Sequence, residues 1–287
     1  MFVQMILRGG VRSFGIAGIP FNDMLAAATI IVFCFLLFLD QSKRGWRIVF
    51  FLFLISLLLT LTRVVWLGVT LTIMFLSSYL FTKKRPLFGR LFRKELAPIL
   101  ISGLVLLMAA TAVKPDMLRQ VRNRFNQLSE FQYGDQVTST LTRVLIWDTA
   151  INAFKKNPIN GVGLDQFPHA SREYYTIHPM LYEFFVEGKD PHLLFLTFLT
   201  ETGVIGAAGF LVLLISSYLM ALKGYKMSST NEEKALGLSL LGIMFYIAAS
   251  SFYSGSWFYG QNSYQFMLFL AATSAFYQLR KDNYARN

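Results

Sequence analysis

Long apolar runs separated by short basic connections limit what this chain can fold into. Seven such runs stand out, at 23–39, 46–62, 64–81, 97–113, 204–222, 235–253 and 263–279, in a sequence that is 54% hydrophobic. Each is about 17–19 residues long, near the lower end of what a helix needs to cross a bilayer. A soluble domain does not carry its apolar residues in blocks of this length. The pattern predicts an all-α integral membrane protein with about seven transmembrane helices. Short spans suit a tightly packed bundle with little tilt.

Basic residues set the orientation. Lys43, Arg44 and Arg47 lie in the first connection, and Lys83, Lys84, Arg85, Arg90, Arg93 and Lys94 in the third. Lys223, Lys226 and Lys234 follow the fifth run, and Arg280, Lys281 and Arg286 follow the last. Arg63 alone, the long segment 114–203 and the uncharged turn 254–262 alternate with them. The positive-inside rule makes the basic connections cytoplasmic. The N-terminus and the long segment are then expected outside, on the periplasmic or extracellular face of a bacterial inner (plasma) membrane. The chain divides into an N-terminal loop with four spans (1–113), an outer loop domain (114–203), and three spans with a cytoplasmic tail (204–287).

The net charge of +11 does not point to nucleic acid, because 15 of the 27 Lys and Arg residues are those cytoplasmic anchors. The other twelve lie on the outer side, where an anionic, membrane-embedded substrate is one explanation. The single cysteine, Cys34, lies within a span, so neither an intrachain disulfide nor a Cys-based metal site is expected. Residues 1–22 lack the layout of a signal peptide. An outside N-terminus without one leads to the expectation that the chain is the C-terminal part of a longer protein, or that its first span inserts as a reverse anchor.

The outer segment is too long for a plain loop and is expected to be mostly helical. Leu118, Val121, Phe125 and Leu128 recur at helical spacing, which predicts an amphipathic surface helix over 115–128. A second helix is predicted over 139–155, with Leu141, Val144, Leu145, Ile151 and Phe154 as its apolar face and Arg143, Trp147 and Ala150 along one stripe. It stops at Asn157-Pro158. The glycines of Asn160-Gly161-Val162-Gly163 allow close backbone approach.

Three features carry possible chemistry. In DPHLLFLTFLTETG (190–203), Asp190 reads as an N-cap and Pro191 as the first helical residue, which puts His192 in the first turn. The positive end of the helix dipole favours a neutral imidazole there, the form that acts as a general base. The plainer reading is a histidine that hydrogen-bonds the loop above the membrane. Arg63 interrupts an apolar stretch. It faces a polar cavity at membrane depth, or it sits at the outer turn of a tight hairpin. Arg12, Arg63 and Arg143 all lie on the outer side, and three guanidinium forks around one pocket suit a pyrophosphate. Glu201 is read as anchoring the junction at Gly203 rather than pairing with the histidine. No HExxH motif or acidic pair in the outer segment suggests a metal site.

The order Leu61-Thr62-Arg63-Val64-Val65-Trp66, Arg143 through Ala150, Asn157 through Phe167, and Pro191-His192-Leu193 through Gly206 resembles the O-antigen ligase and polymerase superfamily. Arg12 through Asn22 is similar to that family's loop ahead of its central spans. The resemblance covers about residues 8–222. It implies a metal-independent, membrane-embedded glycosyltransferase. Such an enzyme moves a glycan from an undecaprenyl-pyrophosphate carrier to a glycan, lipid or protein acceptor on the outer face of the inner membrane. It implies Arg63 and Arg143 as pyrophosphate ligands and His192 as the residue that deprotonates or orients the acceptor hydroxyl. The chain departs from the pattern at Leu193, where the family often has Asn. The resemblance implies that the chain corresponds to the C-terminal part of the family's usual length. The competing readings are a transporter or channel, which expects charge pairs inside spans and an inverted repeat, and an inactive truncated member.

Overall fold

A computed structural model describes residues 20–38, 43–60, 62–83, 135–252 and 261–286. Among these residues every regular element is helical. They are α1 (Pro20–Phe38), α2 (Lys43–Leu59), α3 (Arg63–Lys83), α4 (Asp135–Lys156), α5 (Phe167–Ala170), α6 (Pro179–Phe185), α7 (Leu194–Lys226), α8 (Asn231–Ser250) and α9 (Gln261–Arg286). A 3-10 turn, Ser171–Glu173, follows α5. The runs 23–39, 46–62, 64–81, 204–222, 235–253 and 263–279 fall largely on α1, α2, α3, α7, α8 and α9. The run 97–113, the expected surface helix 115–128 and Arg12 lie outside the described residues. By length and composition, α7 and α8 are the described helices able to cross a membrane. The apolar stretches of α1–α3 are shorter: Asn22–Phe38, Gly45–Leu57 and Val64–Leu80.

The chain sorts into two units. Unit 1 is Met1–Leu128, Tyr218–Tyr246 and Met267–Asn287, and unit 2 is Ser129–Ser217 and Ile247–Phe266. In unit 1, α1 starts with Pro20 and carries Asp23 in its first turn, as the helix dipole favours. The Asp23 carboxylate is buried and accepts a 2.8 Å hydrogen bond from Tyr246 of α8. The end of α2 is closed tightly. The Leu57 carbonyl accepts from Thr60 Oγ1 and from Trp66 Nε1, each at 2.7 Å. Asn22 Nδ2 donates to Thr62 Oγ1 at 3.1 Å, fastening that turn to α1. Arg63 is therefore the first residue of α3, at a hairpin turn, which is the milder of its two sequence readings. Gly242 brings α8 close to α1 and α3, since a Cβ there would meet Ile30 and Leu76 inside 3.0 Å. Phe75 and Phe245 stack at 4.2 Å.

The start of α8 is a capping box. Thr230 Oγ1 accepts from Glu233 N at 3.2 Å, and the Glu233 carboxylate accepts from Thr230 N at 3.4 Å. Glu233 also takes the Ser229 backbone N–H and pairs with Arg280 of α9. These donors hold its carboxyl down at about 2, the Ser229 N–H first among them.

Unit 2 is built on α4. Its core joins Ile146, Ala150 and Ala153 to Phe167, Tyr182, Val186 and Leu196. The helix agrees closely with the predicted 139–155, but its buried face does not. Leu141, Val144 and Ile151 are exposed, and the small residues Ala150 and Ala153 face inward with Thr149. Small side chains let α7 approach closely enough for Thr200 Oγ1 to reach the Ala150 carbonyl at 3.3 Å. Ranking by hydrophobicity gives such residues little weight.

Candidate active site

The pivot of unit 2 is a break in α7. Gly203 has φ 64° and ψ −164°, outside helical values. The break frees backbone groups that an unbroken helix would pair internally, and each needs a partner. The loop after α4 supplies them. Val162 N donates to the Thr200 carbonyl and Gly163 N to the Glu201 carbonyl, both at 2.9 Å. The Pro158 carbonyl accepts from Val204 N at 2.8 Å. The approach is so close that a Cβ on Gly161 would lie inside 3.0 Å of the Glu201 backbone, and one on Gly203 inside 3.0 Å of Ile159. Gly161 thus has the role its sequence implied, whereas a Cβ on Gly163 would meet only the Gln166 side chain.

Glu201, 3% exposed, points its carboxylate at the same loop. It accepts from Asp165 N at 2.8 Å and Phe167 N at 3.4 Å. Burial pushes its carboxyl up against those hydrogen bonds. Glu201 therefore anchors the loop beside Gly203, as expected.

His192 departs from its expected setting. The helix begins at Leu194, two residues beyond it, so His192 is not in a first turn. It adopts φ 52°, a left-handed backbone that costs a non-glycine residue roughly 1–2 kcal/mol. Three contacts hold it there. Asp190 Oδ2 accepts from His192 N at 3.1 Å, and Asp190 Oδ1 lies 3.1 Å from His192 Nδ1. Trp147 Nε1 donates to the Pro191 carbonyl at 2.8 Å. Asp190 acts through an Asx-type turn rather than as a helix cap. Burial raises its carboxyl, but the ring and backbone donors of His192 outweigh burial and bring it below the ordinary value of 3.8.

The Asp190 carboxylate, rather than a helix dipole, sets the tautomer of the ring. An ionised carboxylate only accepts, so the proton in the pair belongs on Nδ1. In the ring's base form Nε2 is then the nitrogen that carries the lone pair. The side chain is 49% exposed, which leaves the ring accessible to a substrate.

Arg143 is exposed on α4, one turn before Trp147 and on the same stripe. Trp147 ties the middle of α4 to the peptide carrying His192. Arg63 belongs to unit 1, at the N-terminus of α3. His178 caps α6, its Nδ1 accepting from Met180 N at 3.3 Å. His169 lies exposed in α5. Among the described residues, no group of three or more His, Cys, Asp or Glu is arranged to hold a metal ion.

Among the described residues, regular structure that is all helical, with two helices long and apolar enough to cross a membrane, fits one class, the helical membrane protein. A family model described as O-Antigen ligase matches residues 48–211, more than half of the chain, and the chain belongs to that membrane family. A comparison with curated proteins gave no match. Family membership points to an enzyme acting on lipid-linked glycans. The matched stretch includes Arg63, Arg143 and His192.

Proposed function

We propose that this chain is a glycosyltransferase of the ligase or polymerase type. It would move a glycan from an undecaprenyl-pyrophosphate carrier to an acceptor hydroxyl at the outer face of the inner membrane. The observation that carries this reading is the Asp190–His192 pair, with the imidazole oriented by a carboxylate and accessible. In the reaction the acceptor oxygen bonds to the anomeric carbon as the bond from that carbon to the pyrophosphate oxygen breaks. The acceptor proton passes to His192 Nε2, and the carrier leaves as its pyrophosphate. Asp190 supports the charge that appears on the ring, as the carboxylate does in other Asp–His pairs. Arg63, Arg143 and Arg12 are the proposed ligands of the pyrophosphate. Arg63 is the first residue of α3. Guanidinium groups stabilise a leaving group that is already an anion, so the chemistry requires no metal.

The test is transfer from lipid-linked glycan to acceptor by the chain, or by a longer form containing it, in liposomes. Activity should survive EDTA. Arg63→Lys and Arg143→Lys should each lose about tenfold or more, because a point charge does not reproduce the bidentate fork. Full activity in both lysine variants would remove the pyrophosphate role.

The proposed orientation has its own measurement. Glu187 is exposed in unit 2. In a Cys34→Ala background, Glu187→Cys should react with an impermeant maleimide in cells whose outer membrane alone is permeabilised. Labelling only after lysis would invert the topology.

A further inference from the structure

The loop that fills the break in α7 carries two large apolar side chains that the active-site argument does not use. Ile159 is 63% exposed and Leu164 is 68% exposed. Their height is set by the backbone. The Pro158 carbonyl is bonded to Val204 N, and Ile159 lies against Gly203. Val204 opens the apolar run 204–222, which ends at Lys223. That run is ~28 Å long at 1.5 Å per residue, close to the hydrocarbon thickness of a bilayer. Glu201 and Thr202 sit just before it. Residue 204 is thus one edge of a span-length apolar run. Past that edge, Ile205, Val212 and Ile215 form an exposed apolar stripe on α7 at helical spacing, the side that a membrane helix gives to lipid.

We propose that the 158–164 loop is seated in the membrane, with Ile159 and Leu164 in the boundary between headgroups and acyl chains on the side where unit 2 lies. The occupant of this surface is the bilayer, because the loop is bonded to α7 at Val204, where the apolar run 204–222 begins. Charge agrees with this placement. Residues 157–164, Asn-Pro-Ile-Asn-Gly-Val-Gly-Leu, include no Asp, Glu, Lys or Arg. An uncharged loop with two exposed branched apolar side chains enters that boundary without burying a charge.

The seat has a consequence that rests on the proposed function. From the loop, rigid links run to the site. Glu201 holds Asp165 and Phe167, Phe167 packs with Ile146 and Ala150 of α4, and Trp147 of α4 holds Pro191. A loop fixed at the headgroup boundary thus fixes the height of Arg143 and His192. That height is where the pyrophosphate of a membrane-anchored carrier resides.

The experiment reads depth first and activity second. Ile159→Cys, Leu164→Cys and, as the exposed control, Glu187→Cys are labelled with an NBD fluorophore in the full chain with Cys34→Ala. The proteins are reconstituted in phosphatidylcholine–phosphatidylglycerol vesicles, with or without 5-doxyl-phosphatidylcholine. Labels at 159 and 164 should lose more than half of their emission to the doxyl lipid and be shielded several-fold from iodide relative to 187. Equal iodide access at all three positions, with no doxyl quenching, would overturn the proposal. So would shielding from both quenchers with self-quenching between labels, which would assign the surface to a second copy. The height-setting role is read with Ile159→Ser/Leu164→Ser. This variant should lose about tenfold in transfer from a long-chain carrier in vesicles and keep its rate with a short-chain, water-soluble donor. Equal loss with both donors would reject height-setting while leaving the depth result and the proposed function standing. No transfer by the unmutated chain from either donor would count against the function and leave the depth result intact.

Discussion

Replacing His192 by alanine is expected to lower glycan transfer by about 10²–10⁴-fold, the usual contribution of a positioned general base. Carrier binding and the yield of folded protein should change little, because the ring is half exposed and the turn is also held by Trp147 through the Pro191 carbonyl. The other histidines supply the contrast. His178→Ala removes the α6 cap and should cost about 1 kcal/mol of stability with little effect on rate. His169→Ala should do less still. Asp190→Asn tests the pair itself. An amide fills the same space, but it can offer Nδ1 a donor instead of an acceptor, and the proton then moves to the nitrogen that must receive one. The variant should fall toward the His192→Ala rate while binding carrier normally. The pH dependence has a definite sign. Asp190 has a lowered folded value, so its hold on His192 is complete above the unfolded value of 3.8 and is lost as pH falls through the lower folded value. A fall in rate between pH 5 and 8 therefore does not come from Asp190. Wild-type rates in His192→Ala would end the general-base reading, and wild-type rates in Asp190→Asn would end the orienting role.

Much of this arrangement was legible in the sequence, and the parts that were not share a cause. Apolar runs located six described helices, α1–α3 and α7–α9, because long apolar blocks need an internally hydrogen-bonded backbone, while the run 97–113 lies outside the described residues. The helix 139–155 was placed within a few residues of α4, because Asn157-Pro158 ends a helix by local chemistry. Its buried face was misread. Ala150 and Ala153 are inside because α7 approaches them, and nothing in their own neighbourhood says so. The setting of His192 failed for the same reason. Asp190-Pro191-His192 reads equally well as a helix start or as an Asx turn. The choice is made by Trp147, 44 residues before Pro191 in the chain. Arg63, Arg143 and His192 were singled out together by resemblance to a family, and the chain belongs to that family. Asp190 was seen as a cap and missed as a partner, although an aspartate two residues before a histidine is the spacing of such a turn.

The glycines at the α7 break should produce the largest stability effects in the chain. Gly161 and Gly203 are 42 residues apart, and each meets backbone belonging to the other's segment. Gly161 faces Glu201 and Thr202, and Gly203 faces Ile159 and Asn160. Both have positive φ, at 68° and 64°. An alanine at either position carries the left-handed penalty of roughly 1–2 kcal/mol and also pushes backbone against backbone, which no rotamer change relieves. The bonds from Val162 and Gly163 to the Thr200 and Glu201 carbonyls would separate, leaving the groups freed by the break without partners. A total of about 3 kcal/mol or more is expected for Gly161→Ala and for Gly203→Ala, a large share of the stability of an ordinary domain. Two further glycines separate the contributions. Gly188 has φ 68° with nothing within 4 Å of a Cβ, so Gly188→Ala should show the backbone penalty alone. Gly209 lies within helical α7 in open space, and Gly209→Ala should be neutral or stabilising by about 0.5–1 kcal/mol. Thermal unfolding of the four variants in detergent, followed by fluorescence-detected size exclusion, should order them Gly209→Ala, Gly188→Ala, then the two break variants well below. If Gly203→Ala melts with Gly188→Ala, the loop is not locked into the break. The coupling between the membrane helix and the His192 turn would then have to run through α4 alone.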